Sequence, residues 1–186
     1  MRLVHQAHEH GKKVLKPGDY AIDATIGNGH DTVFLAKCVG PTGCVWGIDI
    51  QAIALENTRK RLQANGGLAQ TRLILGNHAD LKTHIPSFAF GHIRLICFNL
   101  GYLPGQDHTC TTQAHSTLQA LEQAQQLLAP GGLISCLVYP GHPAGAQEAR
   151  VVQGFFEKKG ALCTTYMSLQ PNPTSPILYC YTKKPE

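Results

Sequence analysis

Strand-like and helix-like segments alternate along almost all of this 186-residue chain, and that alternation constrains the fold more than any other feature. Short apolar runs at 20–25, 44–49, 71–75, 93–98 and 133–139 have the length of buried strands. Segments with helical spacing follow them at 31–39, 52–65, 116–128 and 144–159, with a helical turn at 79–85. Val33, Phe34 and Ala36 mark the buried face of the first, and Leu118, Leu121, Ala124 and Leu128 that of the third. Gly40-Pro41, Gly66-Gly67 and Ala129-Pro130-Gly131-Gly132 are the stops. A further helix at 2–14 precedes the first strand and ends at Lys16-Pro17-Gly18-Asp19. A helix after each strand calls for parallel strands with both faces of the sheet covered. The end of the chain departs from that rule: strands at 161–169 and 176–182 are separated only by 170–175, too short for a crossover helix. The expected fold is therefore α/β, a doubly wound seven-stranded sheet that is mostly parallel, with an antiparallel C-terminal hairpin strand. No repeat or linker interrupts it, so residues 1–186 are expected to form a single domain.

Composition narrows the function classes. With 43% apolar and 15% charged residues the chain is globular. It lacks the run of about 18 apolar residues that a membrane span needs and an N-terminal apolar segment of export type, so a cytoplasmic location without membrane association is expected. The seven cysteines are scattered singly, which suggests buried thiols rather than a disulfide framework or a zinc site. A net charge of +4 permits an anionic partner.

The loop after the first strand reads Ile26-Gly27-Asn28-Gly29-His30 and runs straight into a helix, which allows close approach of backbone to a ligand. Asp49 lies 22 residues beyond Gly27, at the tip of the second strand, where a carboxylate can accept both hydroxyls of a ribose. Together they point to an adenosine-containing ligand. The competing reading is an ordinary strand-to-helix turn with Asp49 as a helix cap. Thr32 stands where a dinucleotide fold would carry its third glycine. That departure, with the terminal antiparallel hairpin, resembles the Rossmann-like class I S-adenosylmethionine-dependent methyltransferases. In that group the acidic residue before the glycine loop, here Asp23, helps hold the amino-acid part of the cofactor.

The fourth strand should then end beside the methyl donor. Asn99-Leu100-Gly101-Tyr102 stands there and resembles the Asn-Pro-Pro-Tyr motif of amino-group methyltransferases. An amide oxygen that accepts an N–H of the target fixes the angle of nucleophilic attack, the Tyr stacks on the base, and Gly101 leaves room for substrate. A tight turn with Tyr102 packed inward is the alternative. Asp107, His108 and His142 are candidate acceptors for the proton that an alkylammonium must lose, although each also suits a surface or structural role. His5, His8 and His10 make a poor metal site, because the third lies about 200° around the helix from the second.

Four motifs in order, DATIGNGHDTVFLA at 23–36, GIDIQ at 47–51, FNLGYLPGQDH at 98–108 and GHP at 141–143, resemble one family: the small bacterial proteins labelled putative rRNA methylases. The resemblance covers nearly the whole chain. It implies a tRNA methyltransferase that converts wobble 5-aminomethyl-2-thiouridine to its 5-methylaminomethyl form, with S-adenosylmethionine as cofactor and the tRNA anticodon region as partner. It implies a cofactor shell of Asp23, Gly27, Asn28, Gly29, Asp31, Thr32, Asp49, Gln51, His78 and Asn99, and catalytic roles for Asn99, Tyr102, Asp107 and His142. Pro140 departs from the family, which tends to carry His there, so the base lies between His142, Asp107 and solvent. A chain without an appended RNA-binding domain suggests a homodimer with a shared basic face. Methylation of rRNA or a small metabolite, and a non-catalytic nucleoside-binding protein, are the alternatives, with an NAD-dependent oxidoreductase weaker still.

Overall fold

The computed structural model describes residues 2–101 and 112–185. In chain order these form α1 (Leu3–Val14), β1 (Tyr20–Asp23), α2 (His30–Val39), β2 (Cys44–Asp49), α3 (Ala52–Asn65), β3 (Thr71–Leu75), α4 (Leu81–His84) and β4 (Ile93–Asn99). There follow α5 (Ala114–Leu127), β5 (Leu128–Val138), α6 (Pro143–Glu157), β6 (Cys163–Tyr166) and β7 (Ile177–Thr182). The described strands make one seven-stranded sheet in the order β3-β2-β1-β4-β5-β7-β6. The pairs from β3 to β5 are parallel, whereas β7 runs antiparallel to both β5 and β6. Both the mostly parallel sheet and the reversed final strand agree with the sequence.

The two faces of the sheet are separately buried because side chains alternate along each strand. Ala21, Val45 and Leu95 point to one side, where Leu35, Ala36 and Val39 of α2, Leu62 of α3 and partly buried Leu3, Val4 and Ala7 of α1 cover them. Ile22, Ile48, Ile96 and Phe98 point to the other, against Leu121, Ala124 and Leu127 of α5 and Val152 and Phe156 of α6. The glycine inside α1 follows from this packing. A Cβ at Gly11 would stand 3.0 Å from Leu95 Cδ2 and 3.1 Å from the Phe34 ring, so only glycine lets the helix lie this close to the sheet.

Three boundaries differ from the sequence-based expectation. The apolar run beginning at Tyr20 leaves the sheet at Asp23, two residues early, as the chain turns into the glycine loop. β5 already begins at Leu128, which pairs with Ile93, while the next pair is Leu95 with Leu133. The stop at 129–132 is thus an excursion within the strand, held by Arg94, whose Nη1 donates to the Pro130 carbonyl at 2.8 Å. β6 is shorter than 161–169 because β7 begins at Ile177, leaving 168 and 169 nothing to pair with, and Leu169 is fully exposed.

Candidate active site

In this strand order the winding reverses between β1 and β4, so the connections that follow those two strands diverge and leave a crevice at the carboxyl ends. A cavity of about 750 Å³ occupies it. Its walls come from the loop after β1 (Thr25, Gly27, Asn28), from Asp31 in the first turn of α2, from Asp49 at the end of β2 and Gln51 beyond it, from Asn77 and His78 beyond β3, from Asn99 at the end of β4, and from Tyr139 and His142 beyond β5.

Asp49 ties the first two of these walls together. Its Oδ2 accepts the Gly27 N–H at 2.9 Å and its Oδ1 the Gln51 N–H at 3.0 Å. Each carboxylate oxygen keeps a second lone pair, the number that a vicinal diol requires. The loop is fastened from behind by α3, where Arg61 Nε donates to the Asn28 carbonyl at 2.8 Å. Gly29 has φ +77° and lies so close to α3 that an added Cβ would be 2.8 Å from Thr58 Cβ, which explains a glycine at this turn. His78 lines the cavity but is otherwise buried, and its Nε2 has no hydrogen-bond partner among the described residues. Burial pushes its pKa down to about 4 despite a hydrogen bond to the Ala24 backbone, so the ring is neutral and Nε2 presents a lone pair.

The opposite wall is built around Asn99. Its N–H donates to Thr25 Oγ1 at 2.7 Å, fixing the end of β4 against the loop after β1. Its side-chain Nδ2 donates to Asp31 Oδ2 at 3.3 Å, and Asp31 Oδ1 meets His8 Nε2 at 2.6 Å. Because the amide nitrogen faces a carboxylate, its oxygen is the atom left for a ligand. Burial and the charge of Asp31 raise the pKa of the neighbouring Tyr139 phenol, which keeps it protonated. Behind the wall, burial first and then the charges of Asp31 and Asp49 push Asp23 up to about 7, against the opposing effect of its hydrogen bonds. The charges of Asp31 and Asp49 give this part of the crevice a negative field suited to a ligand bearing positive charge. A diol acceptor, a neutral buried acceptor and this field fit S-adenosylmethionine, which combines a ribose, an adenine, a sulfonium and an ammonium group.

Beyond β4 the chain is pinned at both sides of residues 102–111. Thr112 N–H donates to the Gly101 carbonyl at 3.0 Å, and Gly101 N–H donates to Thr112 Oγ1 at 2.9 Å. Thr112 Oγ1 in turn donates to Glu148 Oε2 at 2.7 Å, while Glu148 Oε1 accepts from Thr117 Oγ1 at 2.5 Å. Glu148 is a buried carboxylate whose pKa burial raises, partly offset by these two hydroxyls. His142 caps α6, its Nδ1 accepting the Gly145 N–H at 3.1 Å. The Nδ1 lone pair of His142 is thus occupied by the cap.

Of the residues singled out in the sequence, Gly27, Asn28, Asp31, Asp49, Gln51, His78, Asn99 and His142 line the cavity. Tyr102, Asp107 and His108 lie outside the described residues. Asp23, Gly29 and Thr32 stand behind the wall rather than on it. Asp23 turns inward to the start of α2, where Thr32 Oγ1 donates to it at 2.6 Å, and it is fully buried. Thr25, Tyr139, Thr112, Glu148 and His8 were not anticipated. Thr25 and Tyr139 had a usable signal, since each is the last residue of an apolar run whose carboxyl end faces the crevice. Glu148 and His8 had none, because each sits within a helix among residues of ordinary composition.

The pattern of the family described as "Putative rRNA methylase" matches residues 45–182. The chain is 38% identical over 189 residues, 96% of its own length and 68% of the relative's, to the chloroplastic tRNA (mnm(5)s(2)U34)-methyltransferase of Arabidopsis thaliana. Among solved structures it is similar to a putative rRNA-methylase from Clostridium thermocellum, with a TM-score of 0.86, 34% identity and 96% of each chain covered. It is also similar to a putative methyltransferase from Streptococcus mutans solved in complex with SAH, with a TM-score of 0.81, 29% identity and 98% of each chain covered. The sheet, its crevice and these likenesses agree: the chain belongs to the putative rRNA methylase family and is a class I S-adenosylmethionine-dependent methyltransferase.

Proposed function

We propose that the enzyme methylates the 5-aminomethyl nitrogen of wobble 5-aminomethyl-2-thiouridine in tRNA. The observation that carries this reading is the orientation of Asn99: with Nδ2 given to Asp31, the amide offers Oδ1 at a cavity wall. An oxygen acceptor there suits a nucleophile that still bears N–H groups, as an amine does and an enolate carbon does not. The relationship to a plant enzyme named for this wobble nucleoside points the same way.

In this reading Asp49 receives the ribose hydroxyls of the cofactor and His78 lies toward its adenine. Asp31 and Asn28 lie toward its amino-acid end. When bound, the cofactor supplies a methyl group made electrophilic by the adjoining sulfonium. Asn99 Oδ1 would accept one N–H of the substrate amine and aim its lone pair at that methyl, and the proton that the amine gives up on alkylation would pass to solvent. The flipped pyrimidine stacks on Tyr102. His142 caps α6 at the cavity wall.

The test is nucleoside mass spectrometry of tRNA carrying the unmethylated aminomethyl nucleoside after incubation with the enzyme and S-adenosylmethionine. One methyl should appear on that nucleoside and be lost in Asn99→Ala. A wild-type enzyme that binds S-adenosylmethionine yet leaves the nucleoside unchanged refutes the substrate assignment.

A further inference from the structure

His8 lies on α1, before the first strand, and sequence spacing gave it no role. In the structure its Nε2 stands 2.6 Å from Asp31 Oδ1, with both side chains largely shielded, at 22% and 15% exposure. Its ring stacks on Phe34 of α2 with centroids 3.9 Å apart and planes 4° from parallel. The other oxygen of Asp31 receives Asn99 Nδ2. A continuous chain therefore runs from Phe34 through His8 and Asp31 to the side chain of Asn99.

The geometry shows which link depends on which. The backbone of Asn99 is fixed independently by Thr25, but its amide has two nearly isosteric orientations that exchange oxygen for nitrogen. Among the described residues the contact with Asp31 distinguishes them, since a flipped amide would set oxygen against a carboxylate. At 3.3 Å that hydrogen bond is long, so its hold on the amide depends on Asp31 itself staying in place. The short contact from His8 clamps Asp31, and the Phe34 stack clamps His8.

We propose that His8 is a positioning residue for methyl transfer, which acts through Asp31 to keep Asn99 Oδ1 turned toward the acceptor nitrogen. The inference rests on the reading above that this oxygen receives an N–H of the nucleophile. It brings the N-terminal helix, which contributes no wall of the cavity, into the reaction.

Two variants separate positioning from packing. His8→Phe keeps an aromatic ring on Phe34 and removes the hydrogen bond; His8→Gln supplies an N–H near the Nε2 position and removes the stack. Positioning predicts that His8→Phe loses about tenfold to a hundredfold in kcat, with the KM for S-adenosylmethionine within about twofold, while His8→Gln recovers turnover despite a lower Tm. A purely structural role predicts the reverse order. A second readout needs neither substrate nor turnover: the side-chain amide resonances of Asn99, identified by their loss in Asn99→Ala, should move in His8→Phe and return toward the wild-type position in His8→Gln. Resonances that stay put in His8→Phe, or a fully active His8→Phe enzyme, overturn the inference. Wild-type enzyme inactive on the tRNA overturns only the substrate assignment, and the amide resonances then decide the role of His8.

Discussion

Asp23→Asn should remove a large part of the pH dependence of stability. The carboxyl of Asp23 is fully buried and accepts two hydrogen bonds, from Thr32 Oγ1 at 2.6 Å and from the Thr25 N–H at 3.3 Å. These favour the anion, but burial outweighs them, and with the charge of Asp31 the pKa rises from 3.8 to about 7. The folded protein thus keeps a proton that the unfolded chain has already released. The resulting stabilisation is fully present below about pH 4, drains away as the pH rises toward 7, and is gone above it. At about 1.4 kcal/mol per pKa unit, the wild type should lose about 4 kcal/mol across that window from this group. Asparagine cannot titrate and keeps an oxygen for Thr32, so the variant lacks this component. Denaturant unfolding of both proteins at pH 5, 6, 7 and 8 gives the difference with the titrating groups distant from Asp23 cancelled. The variant should gain on the wild type at each step up to about pH 7 and no further. Parallel stability profiles would mean that Asp23 is ionised throughout, and the argument from burial would fail.

Four further outcomes follow from the geometry. Asp49→Asn turns one acceptor oxygen into a donor facing a backbone N–H, so S-adenosylhomocysteine should bind about tenfold or more weakly by calorimetry. Gly29→Ala should cost about 2–4 kcal/mol, combining a left-handed φ of +77° with the clash against Thr58. Gly66→Ala, at φ +75° with nothing within 4 Å, should cost only about 1 kcal/mol, with thermal unfolding as the measurement for both glycine variants. Thr117→Val removes a fully buried hydroxyl that serves Glu148, and the denaturation midpoint should fall by the equivalent of about 1.5–3 kcal/mol.

The sheet was legible because a buried parallel strand must be a short apolar run and its return crossover must be a helix, so each run in 20–139 declares its own partner. The hairpin at the end was legible from the shortness of 170–175 alone. The excursion at 129–132 was not, because Pro-Gly-Gly reads as a stop whether it lies outside a strand or interrupts one; only the pairing of Leu128 with Ile93 distinguishes the two. Residues at the carboxyl ends of strands reached the cavity as expected, since the topology leaves them nowhere else to go. Asp23 did not, because a hydroxyl one helical turn into α2 draws it inward. Couplings such as His8 to Asp31 and Thr117 to Glu148 join residues 23 and 31 positions apart. No local pattern encodes these distances.

The mutual hydrogen bonds of Gly101 and Thr112, rooted in Glu148, also bear on how such a chain can evolve. Lengthening a segment whose ends are already joined adds closure entropy only logarithmically, about 0.6 kcal/mol for each doubling. Because Gly101, Thr112 and Glu148 hold those ends themselves, a change of length between them leaves these hydrogen bonds, and the strand they extend, in place. New acceptors could be sampled by such changes while the methyl donor's side of the crevice stays as it is.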